Sequence, residues 1–338
     1  MEFYFYDSKW WCSPRSLKIS VLFPRSFQCG LFLKLTIGKI SNARIKQTAV
    51  FWVNLFGLLG FILSLTITLA LNSKTMNIHK LTSQQSKDVD SIVERLNPDL
   101  RVFVVTGAGM SAESGLPTYR GVGGLYNSGE PEQGMTIEEL LSGRTYRSQP
   151  ELTWKYLAEI GRACSDASFN RGHELLAEME SHFADFCILT QNIDGFHLSA
   201  GSKNVIEIHG NLHHLRCEHC GHHKQVDHFN DISIPPYCDM GDCGKIMRPN
   251  VVLFDEMLLP DACDHLARQW DQGFDIVLSI GTTSVFPYIR QPVEHCARNG
   301  KMAVEINPTE SKVSQHCEFR LPVSATLALE EIWTRYQG

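Results

Sequence analysis

The chain has 338 residues, 43% of them hydrophobic, and a formal net charge of −6. It is long enough for one large α/β core or two moderate ones, which excludes a small disulfide-stapled scaffold. Its 11 cysteines therefore read as reduced thiols. The charge is uneven: residues 1–75 hold nine Lys/Arg against two acids, and residues 76–338 hold 22 against 35. An acidic body without a basic, aromatic-laced stripe argues against nucleic-acid binding.

Residues 1–48, rich in aromatics and serine, show no periodicity. Ala49 to Leu71 is a 23-residue run without a charge, long enough at about 1.5 Å per residue to cross a bilayer roughly 30 Å thick. It is too long, and begins too late, for a cleaved signal peptide. Lys34, Lys39, Arg44 and Lys46 before it, against Lys74, Lys80 and Lys87 after, favour an internal N-terminus and would export the downstream residues. Export conflicts with reduced thiols. Met76 leads straight into a helix-like segment, Thr82 to Leu96. Residues 1–75 are therefore expected to be an extension absent from a cytoplasmic working protein of residues 76–338; the alternative is a membrane anchor through 49–71.

Arg101–Thr106 is an apolar, β-branched run of buried-strand type. It feeds Gly107-Ala108-Gly109-Met110-Ser111-Ala112, a pattern in which glycines let backbone approach a pyrophosphate at a helix N-terminus. No second strand ending in Asp or Glu follows about twenty residues later, as a plain dehydrogenase needs; Glu130 and Glu132 sit in a Gly/Pro-rich loop. The glycines after Gly107, with Pro117, predict a long mobile loop able to close over a cofactor. Arg120 in that loop is placed to pair with phosphate or to hold the loop.

Segments 136–143, 150–163 and 170–183 carry helical periodicity. Phe186–Thr190 returns to strand and delivers Gln191, Asn192 and Asp194 at its carboxyl end, where open α/β sheets bind ligands. Val205–Ile208 reads as a short buried strand with His209 at its end, a candidate base. Cys217-x2-Cys220 and Cys238-x4-Cys243 space four thiolates for a closed tetrahedral Zn²⁺ shell, so a structural metal is expected. His213, His214, His219, His222, His223 and His228 are read as solvated. The module, about 211–249, should project as a small inserted lobe. An extended Arg248–Glu256, a helix from Pro260 to Trp270 and a strand ending in Gly281-Thr282-Thr283-Ser284 follow. Helix 287–299, a strand ending at Asn307 and an edge helix from Leu327 to Tyr336 complete the chain. Three strand-end clusters, at 107–111, 281–284 and 307, are expected to line one crevice.

Gly107–Gly121, Thr190–Gly195, Ile208-His209-Gly210, the four cysteines and Gly281–Ser284 together resemble the sirtuin family of NAD-dependent protein lysine deacylases, over roughly 82–336. Tyr119 stands where the family commonly has Phe, and Asp255-Glu256 where Gly-Glu is usual. The resemblance implies an α/β fold: a Rossmann-like doubly wound parallel sheet domain with a smaller inserted zinc-binding lobe. NAD and an acyl-lysine protein or peptide would meet in the cleft between them. By the same resemblance the pyrophosphate lies on Gly107, Ala108, Gly109 and Ser111, with Tyr119, Arg120 and Gln191 also on the cofactor side. The adenosine half lies near Gly281, Thr282, Ser284 and Asn307, the nicotinamide near Asn192 and Asp194, and the peptide along Val251, Phe254, Asp255 and Glu256. The implied chemistry is attack of the acyl oxygen on C1′ of the nicotinamide ribose, with Asn192 helping to position the reactants. His209 is then general base on the ribose hydroxyl, and zinc on Cys217, Cys220, Cys238 and Cys243 stays remote. A subgroup preferring succinyl and malonyl carries a Tyr-x-x-Arg pair in the helix after the loop. Aligned from Trp154, Leu157 and Ile160 stand there, and Tyr156-x-x-Glu159 does not restore it, so a neutral acyl group such as acetyl is expected. The rival readings are a protein mono-ADP-ribosyltransferase on the same fold and a non-catalytic NAD-binding module.

Overall fold

The computed structural model describes residues 5–6, 9–10, 80–117 and 134–338. The chain divides into two units, Met1–Ser73 and Lys74–Gly338. In the first, β1 (Phe5–Tyr6) pairs antiparallel with β2 (Lys9–Trp10). The 49–71 run lies outside the described residues, among which no helix is long and apolar enough to cross a membrane.

In the second unit, β3 (Arg101–Thr106) is buried on both faces because its side chains alternate between two apolar layers. Val102 and Val104 join Ile188, Leu278 and Val304 on one side. Phe103 and Val105 join Leu189, Val277 and Ala303 on the other. Each Val, Leu, Ile or Phe among them contributes about 1.5–3 kcal/mol by leaving water. The neighbours belong to β4 (Asp185–Thr190), β5 (Val205–Glu207), β9 (Ile276–Ile280), β10 (Met302–Ile306) and β11 (Phe319–Leu321). All six strands are parallel, in the order β11-β10-β9-β3-β4-β5. The chain thus builds outward from β3 in one direction and later in the other. The reversal falls between β3 and β9, which opens a crevice at their carboxyl ends. Thr106 is level with Ile280, so the turns after these two strands meet there.

Helices Ser83–Val93, Arg171–Glu180 and Ala325–Gln337 cover the first face, and Pro260–Gln272 and Pro287–Arg298 the second. Thr82 and Gln85 cap the first helix reciprocally, at 3.3 Å and 2.7 Å. Proline opens three helices, at Pro150, Pro260 and Pro287, where its missing N–H has no helical partner to lose.

A second, antiparallel sheet consists of β6 (Gly210–Arg216) between β7 (His223–Gln225) and β8 (Arg248–Val251). Its core is shared with helices Gly143–Ser148 and Pro150–Ser165: Tyr146, Trp154 and Leu157 pack with Leu212, Leu215, Phe229 and Met247. Trp154 Nε1 donates to the Met247 carbonyl at 2.8 Å. This smaller lobe therefore draws on two stretches of chain, one on each side of β4. Segment 136–143, read from sequence as one helix, ends at Leu140. Ser142 starts a new helix instead, its hydroxyl accepting from Thr145 N at 3.1 Å. The Gly143 N–H goes to the Phe254 carbonyl at 2.9 Å.

Candidate active site

At the reversal point the two glycine turns touch backbone to backbone. Gly107 N donates to Ile280 O at 3.1 Å and Gly109 N to Gly281 O at 2.9 Å. A Cβ on Gly281, which has φ +60°, would lie 2.5 Å from the carbonyl carbon of Gly109. Only glycine fits. Thr282 is the junction of the neighbouring clusters: its hydroxyl accepts from Gln191 Nε2 at 2.7 Å and from Ser284 N at 3.1 Å. Its carbonyl accepts from Asn307 Nδ2 at 2.8 Å. The fully buried Ser284 hydroxyl has no partner among the described residues. Glycine turns without side chains, beside an orphaned buried hydroxyl, fit a nucleotide cofactor.

Asn192 bridges the turn after β3 and the loop after β4. Its Nδ2 donates to Gly107 O and to Ser111 Oγ, both at 3.1 Å. Ser111 Oγ donates to Asp194 Oδ2 at 2.7 Å, and Asp194 Oδ1 accepts from Phe196 N at 3.0 Å. Burial pushes the Asp194 carboxyl above its usual range, and the hydrogen bonds from Phe196 and Ser111 oppose this. Ala108, Ser111, Asn192 and Asp194 line a cavity of about 250 Å³, closed on its apolar side by Leu116, Ile137, Tyr156 and Ile160. Leu157 points away into the lobe core, whereas Tyr156 and Glu159 line the cavity beside Ile160.

His209 occupies the junction of β5 and β6. Gly210, at φ +79°, lies so close to Asn250 O that no Cβ fits, and the His209 carbonyl accepts from Val252 N at 2.9 Å. Its Nδ1 is 3.1 Å from the Gln191 carbonyl. A carbonyl only accepts, so Nδ1 carries the ring hydrogen and Nε2 keeps its lone pair. Burial holds the imidazole below its usual pKa of 6.5, the bond to Gln191 opposing, which keeps it neutral at neutral pH. Nε2 faces the Tyr288 hydroxyl at 2.8 Å. Tyr288 was not legible in the sequence; its nearness to the Gly281–Ser284 cluster was the one available signal.

The Sγ atoms of Cys217, Cys220, Cys238 and Cys243 lie within 4.8 Å of one another. Cys217 and Cys243 are 3.6 Å apart, and Cys220 and Cys238 3.5 Å. That is far beyond a disulfide bond of about 2.05 Å. It is near the spacing of roughly 3.8 Å expected of four sulfurs at about 2.3 Å from one ion. Zinc fits this donor set. His214, His219, His223 and His228 are exposed, His213 Nδ1 is bonded to the Val226 carbonyl at 2.8 Å and His222 lies 3.4 Å from Asp239.

Val251 ends β8, and Phe254 N donates to Leu141 O at 3.0 Å, so the 251–254 segment spans both parts of the lobe. Asp255 takes φ +65° where the sirtuin pattern has glycine; its carboxylate accepts from Arg144 N at 3.4 Å. A short polar side chain tolerates that conformation better than most. The Glu256 carboxylate is engaged by Arg248 at 3.0 Å and 2.8 Å and by Leu253 N at 3.0 Å. Tyr119 and Arg120 lie outside the described residues.

The sites expected from the three strand ends thus form one hydrogen-bonded chain, from Asn307 through Thr282 and Gln191 to His209, with Asn192 reaching Gly107 and Ser111. The family model for the Sir2 family matches residues 107–287. The NAD-dependent protein deacylase 2 of Pseudomonas aeruginosa is 46% identical over 237 residues, spanning 69% of this chain and 91% of that protein. A solved Sir2 homologue in complex with NAD shares 32% identity and a TM-score of 0.63, covering 78% of this chain and 98% of that one. A Sir2 structure with a p53 peptide and NAD⁺ shares 26% identity and a TM-score of 0.61, covering 74% and 97%. With its motifs in order, its strand ends at one crevice and a relative this similar over nearly its whole length, the chain belongs to the Sir2 family.

Proposed function

We propose that this protein is an NAD-dependent protein lysine deacylase, which moves an acyl group from lysine to ADP-ribose and releases nicotinamide. The observation that carries it is the placement of His209, whose Nδ1 bonds the Gln191 carbonyl while the Gln191 side chain bonds Thr282 beside the glycine turns at the sheet's reversal point. The names of its relatives, and NAD and p53 peptide in solved Sir2 structures, support the same reading.

Bound in the crevice, NAD would supply the ribose carbon that the acyl oxygen attacks as nicotinamide leaves. Gly107–Ser111 offer a turn that phosphate can approach closely. Gly281, Thr282, Ser284 and Asn307 suit the adenosine side, and Asn192 and Asp194 the nicotinamide side. His209 takes a proton from a sugar hydroxyl, for which a neutral imidazole is suited. The four cysteines would hold zinc as a structural ion, away from the reacting atoms, and we place the protein in the cytoplasm, where thiols stay reduced. Val251 to Glu256 would take the peptide.

A neutral acyl group suits the cavity. Among the described residues, the charged groups lining it are Glu159 and Asp194, both acidic, so a succinyl or malonyl carboxylate meets no cation among them and is disfavoured by desolvation and like charge. The test uses purified protein, NAD and acetyl-, succinyl- and malonyl-lysine peptides, with nicotinamide and deacylated peptide measured together. Equal amounts of the two products are expected, with acetyl at least about tenfold ahead, the scale of roughly 1.4 kcal/mol. Labelled ADP-ribose left on protein without deacylation would overturn the reading in favour of transferase activity. Binding of NAD without nicotinamide release would overturn it in favour of a non-catalytic module.

A further inference from the structure

Tyr288 lies outside every cluster that the sequence marks, yet its hydroxyl is 2.8 Å from His209 Nε2. Because Nδ1 donates to Gln191 O at 3.1 Å, Nε2 is the acceptor and Tyr288 the donor. The lone pair that a base must use is therefore filled by a phenol hydrogen. Among the described residues, no donor hydrogen-bonds to the Tyr288 oxygen, so its own lone pairs are open. The ring is held: Phe286 stacks on it at 5.5 Å and 9°. Both rings meet His209 edge-on, at 5.8 Å and 5.9 Å. Burial pushes the phenol up to about 12, which keeps its hydrogen in place at neutral pH.

We propose that Tyr288 is a proton-relay residue: a substrate hydroxyl bonds to the Tyr288 oxygen, and its proton reaches His209 through the phenol. The substrate O–H bond breaks and its electron pair stays on that oxygen, ready to form the new C–O bond. The released proton goes to the Tyr288 oxygen while the original phenol hydrogen moves to Nε2. Tyr288 ends neutral and His209 ends as the imidazolium, so charge and protons balance. This inference rests on the reading of His209 as the base.

The test compares wild type, Tyr288→Phe, His209→Ala and the double variant. Nitrogen NMR of the free proteins reads the His209 ring, single-turnover deacylation reads the rate, and thermal melting reads the fold. Tyr288→Phe is expected to keep the melting temperature, shift the Nε2 resonance and slow deacylation about 10- to 100-fold, the low end for a lost acid–base element. The double variant is expected to be no slower than His209→Ala, because both residues serve one proton path. The proton inventory in mixed light and heavy water should be bowed in wild type and linear in Tyr288→Phe. A wild-type rate in Tyr288→Phe, multiplied losses in the double variant, an unmoved Nε2 resonance or a linear wild-type inventory would each overturn the relay. Full activity in His209→Ala would overturn the base itself, a separate result from an active Tyr288→Phe beside an inactive His209→Ala.

Discussion

Ser111 donates its hydroxyl hydrogen to Asp194 at 2.7 Å, tying the turn after β3 to the loop after β4. Both residues are buried, and Asn192 reaches the same hydroxyl at 3.1 Å. The polar groups on this side of the crevice are thus positioned by one another before any ligand arrives, which lowers the ordering cost of binding.

His209→Ala should reduce deacylation by about 10²–10⁴ and leave the fold intact. Because burial lowers the imidazole pKa, the acid limb of wild-type kcat/KM, where the base takes up a proton, should have its midpoint below that of an ordinary imidazole. That acid limb should vanish in the variant, as pH profiles with subsaturating acetyl-peptide would show.

Glu207 is pushed up to about 7, first by burial and further by the Asp194 charge, against a hydrogen bond from Asn211. A raised carboxyl stabilises the fold fully below the unfolded value of 4.5, and that contribution is lost as pH rises through about 7. Glu207→Gln has no such loss. Relative to wild type it should gain on the order of 1–3 kcal/mol between pH 4.5 and pH 8. Urea unfolding at the two ends of that range measures it; parallel pH profiles of stability for the two proteins would refute it.

Gly281→Ala should disable the crevice rather than trim it. The added carbon would meet Gly109 backbone at 2.5 Å, at a φ of +60°. A backbone clash does not relax by rotating a side chain, so a loss of about 2 kcal/mol or more is expected, together with weaker NAD binding. Denaturant midpoints and calorimetric titration with NAD provide the comparison.

Cys217→Ser removes one of four converging thiols. Metal content should drop well below one per chain and the melting temperature should fall by roughly 10 °C or more, since a structural ion contributes folding energy directly. A variant that loses the metal but melts as wild type does would show that the ion is not structural.

Glu159→Arg would set a cation three residues after Tyr156 on the cavity wall. Succinyl-lysine activity should rise at least about tenfold relative to acetyl, as a carboxylate gains a charge-assisted partner. An unchanged ratio in a competition assay would mean that the acyl group does not reach this wall.

Local patterns were readable because the physics behind them is local. Continuous apolar runs mark β3, β4, β9 and β10; glycine marks turns that must approach another backbone; four cysteines at short spacing mark a tetrahedral shell. His209 could be singled out because it ends one such run between two such patterns. Tertiary structure alone decided what stands against these groups. Tyr288 is 79 residues from His209, and they can meet because all strands of the six-stranded sheet run parallel, so the chain leaves β5 and β9 at the same end of the sheet. Glu256 falls to Arg248, and the lobe gains its helices from a stretch some fifty residues before its cysteines. On the Pro150–Ser165 helix, one residue is a rotation of about 100°, so Tyr156 lines the cavity while Leu157 enters the core. Spacing along a chain specifies which residues can share a face, but which face meets the cavity depends on the packing of every element at once.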